Sequence, residues 1–389
     1  MKKTRWSDEF LDHLKQQGDR LADEYLQKMI RSGEVKHAGE LFGYLNTNDV
    51  KPVHERYPAF TDYYNQTNKL PANVDLKRIE NGENFFIDNA FPASLILLTK
   101  SLPEGYAALN FTTILSLSKN LELHPYHRLL KVMQMLLNVG ASRGFQPHGR
   151  AIISAQKLRL LHAGIRIITG KHLPDFRKKF GEPVNLEDML ATLMGFSLLV
   201  IDGLQMLGCS FSREEAEDYF YVWRVYALLM GIHPHNDPDS FDYIPHNLND
   251  ARLFYDKYAK RHYTDAEHNP HGVHLERANL QMMKQFIPSW LKRIGFGKAP
   301  IVYTQHLIGK DACRKVGVKP VRGHRFYKTF LFSLPRVWLK LYGLFYNHHH
   351  QTGHHFLAQI FFGKLINNEF GHIVNFEIPL SIKDMHKMG

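Results

Sequence analysis

The hydrophobic pattern between residues 109 and 230 repeats with the period of an α-helix, and strand-like alternation is scarce. Residues 276–310 show a similar helical pattern, whereas residues 233–275 are predicted to be rich in loops. The pattern predicts four main helices, at Tyr126–Val139, Ala151–Thr169, Leu186–Leu207 and Arg213–Met230. The sequence therefore predicts an all-α fold.

Capping residues mark the starts of two of these helices. Asn185 precedes the third helix and can accept a hydrogen bond from its first turn, with Asp188 three residues later. Ser212 and Glu215 have the spacing of a capping box at the start of the fourth helix, and Gly231 follows its last apolar position.

The third predicted helix is apolar on nearly every side, which is typical of a membrane span or of the centre of a large core. Its run MLATLMGFSLLVIDGLQML approaches the roughly 20 apolar residues that cross a bilayer. Asp202 and two glycines interrupt the run, and it lies between two capped helices. We therefore favour a central core helix over a membrane span.

The two ends of the chain differ in character. The N-terminal stretch MKKTRWSDEFLDHLKQQGDRLADEYLQKMI lacks an apolar signal core and predicts an amphipathic helix in a cytoplasmic protein. Residues 326–362 mix aromatic side chains, leucines and lysines around Pro335, so they either pack on the core, which we favour, or lie on a membrane surface. We predict one large helical domain at 1–325, with its core at about 85–320, and an extension at 326–389.

Composition and charge narrow the function classes. The chain is 44% hydrophobic, which is enough for a large core, and its two cysteines cannot form a disulfide framework. The net charge is +11, but the basic residues are spread out, without a run or a nucleic-acid motif. We therefore predict no nucleic-acid partner.

One histidine lies within a helical, mostly apolar run, KLRLLHAGIR. Leu158, Leu161, Ile165 and Ile168 form one inward stripe, and His162 projects close to it. A lone histidine in such a place is most often a core residue bonded to a carbonyl or carboxylate. The alternative is an axial ligand, because a neutral imidazole in a dry pocket commonly binds haem iron.

Basic residues accompany this histidine. Arg159 and Arg166 lie on the polar border of the stripe, where guanidinium groups would suit haem propionates. On the preceding helix, Arg128 and Lys131 are three residues apart and share a face, which usually indicates a solvated surface. They become candidate site residues only if that helix faces His162.

The segments SLPEGYAA, GRAIISAQKLRLLHAGIR, NLEDMLATLMGFSLLVIDGL and SREEAEDYFYVWRVYALLMGI follow one another in this order. This ordered set resembles the MpaB-type oxygenase family, which includes the latex-clearing proteins, over roughly residues 6–320. The resemblance implies an all-helical fold with a globin-like core that binds haem b. It also implies cleavage of carbon–carbon double bonds by dioxygen in an apolar small-molecule or lipid substrate.

The resemblance also implies roles for individual residues. His162 occupies the position of the proximal iron ligand, Arg128 that of an arginine on the distal side, and Lys131 a position facing the distal side of the haem. Val132 stands where the family usually has threonine, so a hydroxyl group is absent there. Glu104, in SLPEGYAA, is a candidate general base, although ordinary surface exposure is the state that we expect for it.

Three alternatives remain open at this stage. A non-haem metalloprotein would use histidines of the loops, such as those in His268–His274 or those between His348 and His355. A haem protein without catalytic activity, a sensor or carrier, is favoured by Val132. A helical interaction protein without any cofactor would use His162 only as a core residue.

Overall fold

Apolar faces and capping side chains define the helices of the chain, which we describe from a computed structural model. The described residues are 5–33, 38–45, 51–117, 132, 134–140, 143–285, 287, 289–293 and 296–321. Half of the predicted helix at Tyr126–Val139 and all of the predicted extension at 326–389 therefore lie outside the described residues, and residues 134–139 are helical as predicted.

The helices of the described residues are numbered in chain order. The first nine are α1 Asp8–Lys15, α2 Arg20–Arg31, α3 Ala38–Leu45, α4 Val53–Arg56, α5 Thr61–Thr67, α6 Leu76–Asp88, α7 Ala90–Ile96, α8 Leu102–Tyr106 and α9 Leu109–Ser116. The next nine are α10 Arg150–His172, α11 Phe176–Phe180, α12 Leu186–Phe196, α13 Leu198–Leu207, α14 Arg213–Leu229, α15 Leu248–His262, α16 Pro270–Gln285, α17 Ser289–Arg293 and α18 Ala299–Lys315. Short 3₁₀ turns lie at Pro58–Phe60 and Phe296–Lys298, and one π-helical turn lies at Leu97–Ser101.

The prediction of an all-α fold is confirmed. The described residues contain no strand, and their one isolated β-bridge joins Ala108 to Tyr263. The predicted capping box is present at the start of α14, where Ser212 and Glu215 bond to each other's backbone. Asn185 caps α12 through the backbone N–H of Asp188.

One prediction about helix bounds was wrong, and another was incomplete. The segment Leu186–Leu207 is two helices, α12 and α13, because Ser197 leaves the helical conformation at φ −113° and ψ −81°. Residues 233–275, predicted to be rich in loops, are about half helical, since they contain the 15-residue helix α15 and the start of α16. The apolar face of α15 packs into the core through Ala251, Phe254 and Tyr258, and this burial stabilises the helix.

The long apolar segment lies in the core of this structure. Leu186–Leu207 is long and apolar enough to cross a membrane, and 67% of its most hydrophobic window is buried inside the protein. In the main core cluster, α12 packs against α14 and α15, and α13 packs against α7 and α15.

Close helix packing positions the central helices. Helix α6 runs against α14 at Gly82, where an added Cβ atom would lie 2.5 Å from the Asp218 carbonyl oxygen. A glycine is therefore required for this approach of the two backbones. Helix α10 passes between two core clusters: Ala151 and Ile152 belong to the main cluster, and Leu160 and Leu161 to a second one formed with α2, α3 and α5.

Candidate functional site

Helix α10 carries His162 and is buried on most sides. Besides Leu161 and Ile168 of the predicted stripe, it buries alanines, a glycine and two arginines, whereas Leu158 and Ile165 are only half-buried. The predicted stripe was therefore too narrow a description of the inward surface. A helix enclosed in this way fixes the position of each side chain along it.

The His162 side chain is half-buried, and its Nδ1 atom is fully buried without a hydrogen bond to any described residue. Burial lowers the pKa of His162 to about 4, with a further decrease from the charge of Arg166 and an opposing increase from Asp19. The imidazole is therefore neutral at physiological pH. A neutral imidazole is the form that binds a metal ion.

Arg159 forms a buried ion pair with Asp19, the N-cap residue of α2. Its Nε donates to Asp19 Oδ2 at 2.6 Å and its Nη2 to Oδ1 at 2.9 Å, and its Nη1 donates to the Leu229 carbonyl at 3.3 Å. Burial raises the pKa of Asp19, but the charge and hydrogen bonds of Arg159 outweigh it, and the net pKa is lowered. This bidentate pair joins α2, α10 and the end of α14.

Arg166 forms a second ion pair with α2. Its Nε donates to the two carboxylate oxygens of Asp23 at 2.8 and 3.0 Å, and its Nη1 donates to the Val184 carbonyl at 3.2 Å. Its Nη2 is buried and makes no hydrogen bond within the described residues. The guanidinium groups three residues before and four residues after His162 are thus both bonded to carboxylates of this chain.

The prediction from the sequence is that Arg159 and Arg166 bind haem propionates. Because Asp19 and Asp23 already bind these guanidinium groups, the geometry gives that assignment no support, and it stays a prediction. Sequence reasoning missed both aspartates, because each lies about 140 residues from its arginine.

The predicted distal residues Arg128 and Lys131 lie outside the described residues. Their proposed roles therefore stay predictions. Val132, one residue further on, is half-buried and packs against the main core cluster. An apolar side chain at this position is consistent with the apolar surroundings in which the structure places it.

The expectation of an exposed Glu104 was wrong. The residue is only 9% exposed, and its Oε1 accepts a hydrogen bond from Lys100 Nζ at 2.6 Å. Its Oε2 accepts from the Tyr263 hydroxyl at 3.5 Å, and Lys100 also donates to the Leu307 carbonyl at 3.1 Å. Lys100 lies four residues before Glu104, so the spacing of a helical ion pair was a signal available in the sequence.

The loop histidines do not assemble into a metal centre in the part of the chain that the structure describes. No group of three or more His, Cys, Asp or Glu side chains there has the arrangement of a metal site. His262, the last residue of α15, lies 3.0 Å from Glu187. The histidines between His348 and His355 lie outside the described residues.

Comparisons with known proteins agree with the predicted resemblance. The rubber oxygenase of Streptomyces sp. (strain K30) is 21% identical over 232 residues, which are 58% of this chain and 55% of that relative. The chain thus matches about half the length of this curated relative. The solved structure of latex clearing protein LCP in the closed state has a TM-score of 0.68 at 17% identity, covering 89% of this chain and 90% of that chain. This likeness shows a shared fold.

A sequence model of one family provides the assignment. The model described as ER-bound oxygenase mpaB/B'/Rubber oxygenase, catalytic domain, matches residues 92–337, more than half of the chain. The match includes His162 and Glu104, whereas Asp19 and Asp23 precede it. The resemblance noted in the sequence is confirmed: the chain belongs to the ER-bound oxygenase mpaB/B'/rubber oxygenase family.

Proposed function

We propose that this protein is a haem b-dependent oxygenase that uses dioxygen to cleave carbon–carbon double bonds of an apolar isoprenoid, lipid or polyene substrate. The observation that carries the proposal is the neutral imidazole of His162, whose buried Nδ1 has no described partner, on a helix within the catalytic domain that the family model matches. The rubber oxygenase named among the relatives supports an alkene as the substrate class.

His162 fits the role of a residue that would hold the haem iron in two respects. Its ring is neutral down to a pH of about 4, so a proton does not compete with the iron for the ring nitrogen. Its neighbours on the helix, Leu161 and Ala163, are buried, so the backbone that carries it lies in apolar surroundings. When bound, haem supplies the iron that activates dioxygen and delivers oxygen to the double bond.

The other residues of this chain act on His162 and on the surroundings of the reaction. The pairs Arg159–Asp19 and Arg166–Asp23 hold α10 against α2 on both sides of His162 and so keep the imidazole in one position. We propose that Arg128 and Lys131 would present polar groups toward dioxygen and that Glu104 would transfer protons. In the structure, Glu104 lies beside an ammonium and a phenol, and both can donate to it.

The proposal includes the place where the protein works. We propose that the protein is cytoplasmic and contacts membranes peripherally through residues 326–389. Apolar substrates dissolve in membranes, so this contact would bring the protein to them. Flotation with anionic liposomes tests this contact by comparing the full chain with a chain ending before Phe326. Equal binding by both chains would exclude a role for the C-terminal segment.

The visible absorption spectrum tests the cofactor assignment first. The protein, His162→Ala and His233→Ala are purified from haem-supplemented cells. His233 is a matched control, because it is also a half-buried histidine near Arg159 and Asp19, but its Nδ1 already bonds to the Pro234 carbonyl at 2.9 Å. We expect a Soret band in the wild type and in His233→Ala, and its loss in His162→Ala.

Other spectra would contradict the assignment. A colourless wild type that does not take up haemin would exclude haem and leave His162 as a core residue. A Soret band that persists in His162→Ala would mean that the protein binds haem and that a residue other than His162 ligates the iron. The chemistry is then tested by oxygen consumption and carbonyl products with alkenes and polyenes.

A haem-binding sensor or carrier is the second candidate function, and Val132 is the observation that favours it. A half-buried valine offers no hydroxyl group to bound oxygen or to a propionate. Val132→Thr distinguishes the two functions. Oxygen consumption that appears only in this variant would assign the wild type to haem binding without catalysis.

A further inference from the structure

A cavity lies among the π-helical turn Leu97–Ser101 and helices α8, α9, α12 and α15, and it is separate from helix α10. It has an empty volume of about 480 Å³ with its open mouth included. Most of its wall is apolar, with Leu97, Leu102, Phe111 and Phe196 contributing large side chains. No residue of α10 belongs to the described lining, so among the described residues His162 does not border this cavity.

Two glycines form part of the wall and leave space there. A Cβ atom at Gly195 would have Ser101 Cβ at 3.8 Å as its nearest neighbour, and one at Gly105 would lie 3.5 Å from the Phe111 ring. These are ordinary van der Waals distances, so side chains would fit at both positions. Gly195 lies inside α12, where alanine stabilises a helix more than glycine does. The chain thus retains a less stable residue at a position that opens the cavity.

Every hydroxyl group in the described lining already donates its hydrogen to the protein. The acceptors are the Gly195 carbonyl for Ser101 (2.6 Å), the Asp188 carbonyl for Thr192 (2.8 Å), the Asp188 carboxylate for Tyr258 (3.0 Å), Glu104 for Tyr263 (3.5 Å) and Tyr263 for Tyr255 (2.6 Å). A hydroxyl oxygen that has given away its hydrogen can still accept one hydrogen bond or more.

The direction of the Tyr255–Tyr263 hydrogen bond follows from Glu104. Lys100 holds the Glu104 carboxylate, which only accepts, so Tyr263 donates its single hydrogen to Glu104. We infer that Tyr255 donates the hydrogen of the 2.6 Å contact between the two phenols, because Tyr263 has only one hydrogen. Tyr255 is only 8% exposed, and its oxygen is left as an acceptor in a cavity whose hydroxyl groups have no hydrogen to offer.

We propose that this cavity binds a small apolar alcohol, with the alcohol hydroxyl donating to Tyr255 and the hydrocarbon chain lying against the apolar wall. A ketone, ester or ether brings only acceptors and would face the phenol oxygens without a hydrogen between them. A charged ammonium would donate, but it would lose its hydration in an apolar cavity. The hydroxyl pattern therefore selects an alcohol among apolar molecules of the same size.

Two isomeric probes test this selection, n-hexanol and methyl pentyl ether, because they share one formula and differ in the hydrogen-bond donor. Binding to the full chain is measured by calorimetry and by saturation-transfer NMR in the wild type, Tyr255→Phe, Gly195→Leu and Gly195→Ala. We expect the wild type to bind the alcohol about 2- to 10-fold more tightly than the ether, as for one neutral hydrogen bond. Tyr255→Phe should remove this preference, and Gly195→Leu should abolish binding of both probes.

The outcomes separate the parts of the proposal. Equal affinity for the two probes, or no binding of either, would overturn the selection of an alcohol. A preference that persists in Tyr255→Phe would overturn the assignment of the acceptor. If Gly195→Leu does not fold, Gly195→Ala provides the test of the binding site. An affinity of Gly195→Ala for the alcohol equal to that of the wild type would overturn the assignment of the alcohol to this cavity. The same titration in His162→Ala tests whether alcohol binding depends on haem. We expect His162→Ala and the wild type to bind the alcohol equally.

Discussion

Replacement of Glu276 by glutamine should stabilise the protein at alkaline pH. Glu276 lies on α16 and is fully buried; its Oε2 accepts a hydrogen bond from Asn279 at 3.1 Å, and its Oε1 has no partner among the described residues. Burial raises the pKa of Glu276 from 4.5 to about 8, against a smaller lowering by the bond from Asn279. Glu276→Gln keeps the size of the side chain and the oxygen that Asn279 requires, and it removes the charge.

The magnitude follows from the two pKa values. The unfolded chain releases the Glu276 proton near pH 4.5, whereas the folded protein keeps it until about pH 8, so the unfolded state binds fewer protons between these values. The free energy of unfolding therefore falls as the pH rises through this window. At 1.36 kcal/mol for each pKa unit the full loss is about 5 kcal/mol, and relaxation around the ionised group reduces it to about 2–4 kcal/mol.

Urea unfolding at several pH values between 5 and 9 measures this effect. The stability difference between Glu276→Gln and the wild type should grow by about 2–4 kcal/mol in favour of the variant from pH 5 to pH 9. Glu267→Gln serves as the control, because it makes the same substitution at an exposed position. A constant difference for Glu276→Gln across the range would refute the raised pKa and the reasoning from burial.

Three further predictions concern stability. Asp19→Asn leaves Arg159 buried without its carboxylate and should lower the free energy of unfolding by about 3–5 kcal/mol, measured in urea; a loss below about 1 kcal/mol would mean that water replaces the pair. Ser212→Ala removes the capping box with Glu215 and should cost about 1 kcal/mol in the same assay, with an unchanged value arguing against the cap. His162 is protonated more readily in the unfolded chain than in the fold, so the cofactor-free wild type should lose about 2 kcal/mol as the pH falls from 6.5 to 4. His162→Met should not show this loss, and identical acid titrations of the two proteins would contradict the buried, neutral imidazole.

Local rules account for the parts of the fold that the sequence predicted. The helix predicted at Ala151–Thr169 is observed at Arg150–His172, and the fourth predicted helix agrees within one residue. Both depend on apolar periodicity and caps, which involve residues a few positions apart. The position of His162 on a largely buried helix was predictable for the same reason.

The break at Ser197 depends on a contact that no local pattern contains. The Tyr219 hydroxyl of α14 donates to the Phe196 carbonyl at 2.7 Å, directly before the non-helical residue. This bond satisfies a carbonyl that would otherwise be left without a partner at the end of α12. From the sequence alone, an apolar run of this length predicts one helix, because the contact with the neighbouring helix is not visible in the sequence.

The same limit explains why the arginines beside His162 were assigned to a cofactor. A sequence shows that Arg159 and Arg166 share a face with the histidine, but it does not show which carboxylates reach that face. The structure supplies Asp19 and Asp23 from α2, and both precede the part of the chain that the family model matches. The N-terminal helices thus provide charge partners for the helix that carries the candidate ligand.

These ion pairs also bear on why an imidazole is retained at position 162. A buried polar atom without a hydrogen bond costs about 1–3 kcal/mol, and a methionine of similar size would avoid that cost. No described residue bonds to Nδ1 of His162, so the fold gains no hydrogen bond from this atom. Ion pairs nevertheless hold helix α10 three residues before His162 and four residues after it. A side chain that reduces stability in a position held this firmly is characteristic of a functional site. Among the functions considered for this protein, the proposed haem ligation is the one that would use the imidazole directly.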